Sequence, residues 1–257
     1  MFNAHPTPYI TGESYAWWQF RSQFLVHARD VIVWLPPGYH DDPHRRYPVL
    51  YIHDGQNLFD ASTSFMGVKW NLDNAAFHMI QEGILEPFIM VGVYNSPDRI
   101  PEYNPLAKGG DFGRFIVEEL MPAINATFRT EGGRRNALMG SSMGGLISFA
   151  HLWWYPEHFF GAACLSPSLW VLYRTGGARE WLERHRFPPL DTKLYIDHGT
   201  RGYEGRMRGI VEDVVTFCLD RGLPKSKIRH YVARGGDHNE SSWAARIDKP
   251  LKFLFKR

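Results

Sequence analysis

The sequence predicts an α/β protein built on a mostly parallel, doubly wound sheet with an antiparallel start. Three observations carry this. Val49-Leu50-Tyr51-Ile52-His53 and Phe88-Ile89-Met90-Val91-Gly92-Val93 are short, continuous apolar runs, the pattern of strands buried on both faces. Such runs alternate with helix-like segments, among them Leu72 to Gln81 and Phe112 to Ala126, and alternation of this kind builds parallel sheets. Ahead of them, Phe20 to Val26 and Asp30 to Leu35 read as two strands joined by a short turn, an antiparallel beginning. A chain of 257 residues is long enough for one large domain of this class, and no repeat, low-complexity tract or linker divides residues 1–257.

Each element follows from local pattern. Residues 1 to 19 read as irregular, with Pro6, Pro8 and an aromatic cluster around Trp17. Pro36-Pro37-Gly38-Tyr39 stops the second strand, and Asp41 to Tyr47 is a polar loop. After Val93 comes a loop with Asn95, Pro97, Pro101 and Pro105. Phe112, Phe115, Ile116, Leu120 and Ile124 then share one face of a helix, with Asp111 as its N-cap. Arg134 to Met139 is a short strand, and Leu146, Ile147, Ala150 and Trp154 put Met143 to Trp154 on helical spacing. Gly161 to Leu165, Lys193 to Asp197 and Ile228 to Val232 complete the strands. Ala178 to His185, Glu204 to Leu219, and Ser242 to Phe255 with an interruption at Pro250 complete the helices.

Composition bounds the function. Twenty-nine basic and 27 acidic residues give a net charge of +2 with no basic block, which argues against a nucleic-acid partner. The N-terminus lacks a charged region followed by an apolar one, and no run approaches the length of a membrane span, so a cytoplasmic protein without a membrane partner is expected. Cys164 and Cys218 lie in apolar surroundings and read as buried thiols rather than a disulfide. Most of the 9 Trp should pack in the core, yet Trp70, Trp153, Trp154, Trp170 and Trp243 lie near the motifs below and suit an aromatic-walled cleft.

The chemistry centres on Gly140-Ser141-Ser142-Met143-Gly144. This G-x-S-x-G stands between a strand and a helix, where a nucleophile elbow needs small residues two positions either side of its serine; the spacing selects Ser142 over Ser141. A serine hydroxyl needs a histidine to take its proton and a carboxylate to fix that histidine's tautomer. Among 12 His, His238 follows the last strand through Gly235-Gly236 and is the candidate base. The acid should follow the penultimate strand. Glu204, beyond the turn, is favoured over Asp197 at the strand end. Backbone N–H groups of Met143 and of Gln56 would stabilise a tetrahedral oxyanion, with Asn57 as the alternative to Gln56. In an open parallel sheet all these strand-end residues converge.

With Pro36-Pro37-Gly38-Tyr39, the stretch His53-Asp54-Gly55-Gln56-Asn57-Leu58-Phe59, Gly140-Ser141-Ser142-Met143-Gly144-Gly145, Asp197-His198-Gly199-Thr200 and Gly236-Asp237-His238, the sequence resembles the esterase family of α/β-hydrolases. That family includes feruloyl, acetyl-xylan and enterobactin esterases, S-formylglutathione hydrolases and mycolyltransferases. The resemblance implies the α/β-hydrolase fold, Ser142 as nucleophile, His238 as base and an oxyanion loop at Gln56. It also implies that Trp170 lines the acyl or sugar pocket. Asn57 is a further substrate contact, and Arg99 and Tyr103 are expected to cap the site. Many relatives place an acid soon after the Gly-Thr pair; here Arg201 and Gly202 stand there, and Glu204 is the first acid. The sequence therefore reads as a serine carboxylesterase acting on a small-molecule ester without metal or cofactor. A small or aryl acyl group is expected, on a sugar or a siderophore-like lactone. The alternatives are an acyltransferase sharing the acyl-enzyme and a silent binding module on the same scaffold. The absence of H-E-x-x-H disfavours a zinc hydrolase.

Overall fold

The computed structural model describes residues 1–257. Nine strands form a single sheet in the order β1-β2-β3-β5-β4-β6-β7-β8-β9. These are β1 (Asn3–Ala4), β2 (Glu13–Phe20), β3 (Arg29–Leu35), β4 (Val49–His53), β5 (Ile89–Val93), β6 (Asn136–Ser141), β7 (Phe159–Leu165), β8 (Lys193–Gly199) and β9 (Ile228–Ala233). The first three strands and the β3–β5 junction pair antiparallel, and every pairing from β5 through β9 is parallel. Helices cover both faces, so the central strands are dry on both sides: every residue of β4, β5 and β6 is buried. Side chains alternate between two apolar layers. Val49, Tyr51 and Val91 enter one; Leu50, Ile52 and Met90 enter the other. No helix is long and apolar enough to cross a membrane, and both cysteines are free and buried.

The antiparallel start lies earlier than the sequence suggests. Residues 13–19, read as irregular, form β2 with Phe20, whereas the rest of the expected strand Phe20 to Val26 belongs to the loop 21–28 that leads to β3. Alternation of buried Ser14, Ala16 and Phe20 with more exposed neighbours gives the strand one core-facing side. A register shift between Trp17 and Phe20, with Gln19 at φ 56°, breaks that alternation in sequence. Two helices also differ from expectation. The segment at Phe112 begins at Gly109, so Asp111 lies inside its first turn rather than capping it, and residues Phe115–Leu120 widen into a π-helical stretch. Glu204 does not start the long helix. It lies in a separate 3₁₀ turn, Gly202–Arg206, ahead of Arg208–Asp220. The final helical region is two pieces, Glu240–Ala244 and Asp248–Phe255, broken before Pro250, which occupies a tolerated first-turn position.

Candidate active site

The carboxyl ends of β4, β6, β8 and β9 meet at one edge of the sheet. At the end of β6 the chain turns into the helix Met143–Trp154 through Ser142, whose φ of 56° and ψ of −121° lie where an L side chain is strained. The turn is tight enough that a Cβ on Gly140 would stand 2.5 Å from the backbone of Gly144, so only glycine fits at Gly140. Strain of this kind persists where surrounding structure over-determines it. Here Ser142 N–H donates to Leu165 O at 2.9 Å and the Ser142 carbonyl accepts from Ser168 N–H at 3.0 Å.

Ser142 Oγ is 2.9 Å from His238 Nε2, and His238 Nδ1 contacts Glu204 Oε1. A carboxylate only accepts, so Nδ1 carries the proton and Nε2 is left to accept from the serine hydroxyl. Glu204 is completely buried. Burial alone pushes its carboxyl up, but hydrogen bonds from His238, Gly199 N–H and Ser166 outweigh that cost and hold it below its ordinary value. The two loops that carry this pair are packed backbone to backbone: a Cβ on Gly199 would lie 2.2 Å from Gly236 O.

Asp197 does not reach His238. It is fully buried and holds Arg246, which donates from Nε at 2.8 Å and Nη2 at 3.0 Å. It also accepts from Ser166 N–H at 2.9 Å and Tyr195 OH at 3.1 Å. Burial opposes the Arg246 charge, and Asp197 more than restores it. Ser166, itself at φ 42°, joins this cluster to Glu204: its Oγ donates to Glu204 Oε2 at 2.9 Å and accepts from Arg246 Nη2 at 2.9 Å and Trp243 Nε1 at 3.1 Å.

A cleft of about 420 Å³ opens over Ser142 and His238, lined also by Asp54, Gln56, Asn57, Phe65, Asn95, Arg99, Glu240 and Trp243. Gln56 lies in the 3₁₀ turn Gly55–Asn57 after β4, and Met143 begins the elbow helix, whose first N–H groups have no partner within the helix. Arg99 grips Asp54 with two bonds of 2.7 Å.

With this geometry in place, known proteins can be compared. A family model described as "Putative esterase" matches residues 22–254. The chain belongs to the esterase family. It is accordingly a carboxylic ester hydrolase. An uncharacterized protein of Bacillus subtilis, YbbA, is 22% identical over 91% of this chain and 95% of its own length. An endo-1,4-beta-xylanase/feruloyl esterase of Xylanibacter ruminicola is 31% identical over 92% of this chain, which spans only 31% of that longer protein. An IroE-like serine hydrolase from Shewanella oneidensis superposes with a TM-score of 0.72 over 91% of this chain and 78% of its own, at 22% identity. That structural likeness speaks for the α/β-hydrolase fold.

Within this esterase the remaining sequence candidates fall into three groups. Gln56, Asn57 and Arg99 line the cleft, although Asn57 Oδ1 is also engaged by Phe65 N–H at 2.8 Å. Trp170 is set back from the cleft lining: its ring meets Tyr203 edge-on at 4.9 Å, and Tyr203 in turn meets the His238 ring at 5.7 Å. Tyr103 is a correction. It was expected to cap the site, but its side chain is fully buried and its hydroxyl accepts from Asp54 N–H at 3.2 Å, so it supports the loop from beneath. Trp243, one of the tryptophans expected to suit an aromatic-walled cleft, does line it. Sequence reasoning gave no role to Asp54, Asn95, Ser166, Ser168, Glu240 or Arg246. Asp54 stands inside a quoted motif. Arg246 has no signal, because what defines it is a partner 49 residues away.

Proposed function

We propose that the esterase works through an acyl-enzyme on Ser142. Ser142 Oγ attacks the ester carbonyl as His238 Nε2 takes its proton. Glu204 holds the ring tautomer and stabilises the imidazolium that forms. The oxyanion is met by the N–H groups of Met143 and Gln56. The intermediate collapses as His238 hands the proton to the departing alkoxide, and water, deprotonated by the same ring, releases the acid. These groups supply every proton transfer and charge the reaction needs, so the reading uses no metal or cofactor. The single observation that supports it most is the continuous contact Ser142–His238–Glu204 on an elbow whose backbone is strained at the serine. A small or aryl acyl group fits the open cleft of about 420 Å³ over the serine. The feruloyl esterase relative makes hydroxycinnamoyl esters the first substrates to try.

The test is Ser142→Ala with p-nitrophenyl acetate. A fall in kcat of about 10⁴- to 10⁶-fold is expected, with Ser141→Ala retaining most activity. A fluorophosphonate should label Ser142 alone. An active, repurified Ser142→Ala protein, or label found on another residue, would overturn the reading.

A further inference from the structure

The charges around the cleft do not cancel. Asp54, Arg99, His238 and Glu240 are its ionisable lining groups. Asp54 and Arg99 neutralise one another in their two-bonded pair, and His238 spends its Nδ1 proton on Glu204. One carboxylate is left over, Glu240. It is half-buried in the first turn of Glu240–Ala244, two residues past His238, and no cation stands within 4 Å of it. Burial pushes its carboxyl up, and the more distant Arg99 and His238 charges, which pull the other way, do not offset it. Two aromatic side chains share the lining, Trp243 from the same segment and Phe65, 64% exposed at the mouth. A lone carboxylate beside aromatic faces is the composition that holds an ammonium group, which gains from both the charge and the ring quadrupole.

Position indicates which half of the ester this group meets. His238 must lie beside the leaving oxygen to protonate it, whereas the acyl carbonyl points at Gln56 and Met143. The Trp243 ring packs on the His238 ring at 5.1 Å, and Glu240 lies three residues before Trp243 in the same short helix, which assigns both to the alcohol side. We propose that Glu240 is a specificity-determining residue that selects esters whose alcohol carries a cationic nitrogen and disfavours those whose alcohol carries an anion. This rests on the acyl-enzyme reading above.

The experiment compares three acetates of similar shape at pH 8: acetylcholine (cationic), 3,3-dimethylbutyl acetate (neutral) and O-acetyl isethionate (anionic), with p-nitrophenyl acetate as reference. For the wild type, kcat/KM for the cationic ester should exceed the neutral one by about 10-fold and the anionic one by about 10²-fold. Glu240→Gln should bring the first ratio close to one, and Glu240→Lys should invert the order. Choline, as an inhibitor of p-nitrophenyl acetate hydrolysis, should weaken by a similar factor in Glu240→Gln, which gives a second readout. Equal ratios in wild type and Glu240→Gln, with p-nitrophenyl acetate still hydrolysed, would overturn the inference alone. A wild type inert toward every ester would overturn it together with the reading it rests on.

Discussion

Asp54 follows β4 and Asp197 lies near the end of β8, on opposite sides of the strand that carries Ser142. Each carboxylate holds an arginine by two hydrogen bonds, Arg99 in one case and Arg246 in the other. The pairs differ in what surrounds them. The Arg246 side chain is 4% exposed, and two of its three remaining donors are taken by Ser242 O and Ser166 Oγ, so the cluster is closed to solvent. The Arg99 side chain is 26% exposed and opens into the cleft. One Asp–Arg pair is therefore internal framework that braces Ser166, and through it Glu204; the other is a wall of the cleft open to solvent. Identical chemistry divides into structure and site according to whether water reaches the arginine.

The largest effect should come from the closed pair. Arg246→Met strands a buried Asp197 carboxylate, and losses of about 3–5 kcal/mol attend such breaks, which for a chain of this size lower Tm by roughly 10 °C. Calorimetry reads this directly. A loss under about 1 kcal/mol would mean that the cluster hydrates easily and is no framework.

Acid should strike the Asp54 flank next. His53, just before Asp54, is fully buried against Tyr103, Phe112 and His151, and neither of its ring nitrogens has a partner. Burial pushes His53 well below 6.5 and His151 down to about 4. Both stay neutral in the fold while the unfolded chain takes up protons, so stability falls as pH drops from about 6.5 toward 4. The slope approaches 1.36 kcal/mol per pH unit for each histidine, or about 2 kcal/mol apiece at pH 5. Glu204, held low, adds stability that is present above its ordinary 4.5 and disappears only as pH falls through its folded value, a separate and more acidic window. In His151→Gln the Tm difference between pH 7.5 and pH 5 should shrink; an unchanged difference would remove His151 from the account.

The open pair should matter least to stability. Arg99→Met leaves Asp54, itself only 3% exposed, bonded to Asn95 Nδ2 at 2.7 Å on the wall of the cleft, so a loss of about 1–3 kcal/mol, below that of Arg246→Met, is expected from thermal melts. A loss matching that of Arg246→Met would erase the distinction between the two pairs.

How much of this is legible in sequence follows from range. The parallel strands and the elbow are read from neighbours, since apolar runs, glycine spacing and helical periodicity are all local. β2 escapes because a bulge between Trp17 and Phe20 breaks its alternation. Asp197 and Glu204 could only be ranked, because the choice turns on which one a distant arginine engages. Tyr103 was misplaced for the same reason: a tyrosine on a proline-rich loop looks exposed until β4 and the helix at Gly109 are packed around it. Glu240 has no motif at all, and stands out only once every other charge in the cleft is paired.

The most direct test of the central claim, that Glu204 belongs to the Ser142–His238 pair and Asp197 to the framework, is kcat and Tm measured side by side for Glu204→Gln and Asp197→Asn. Glu204→Gln is expected to lower kcat by about 10² to 10⁴-fold. Asp197→Asn is expected to lower Tm more than Glu204→Gln does while keeping kcat within about 10-fold of wild type. A folded Asp197→Asn protein with the larger loss of kcat, beside a near-wild-type Glu204→Gln, would contradict the account.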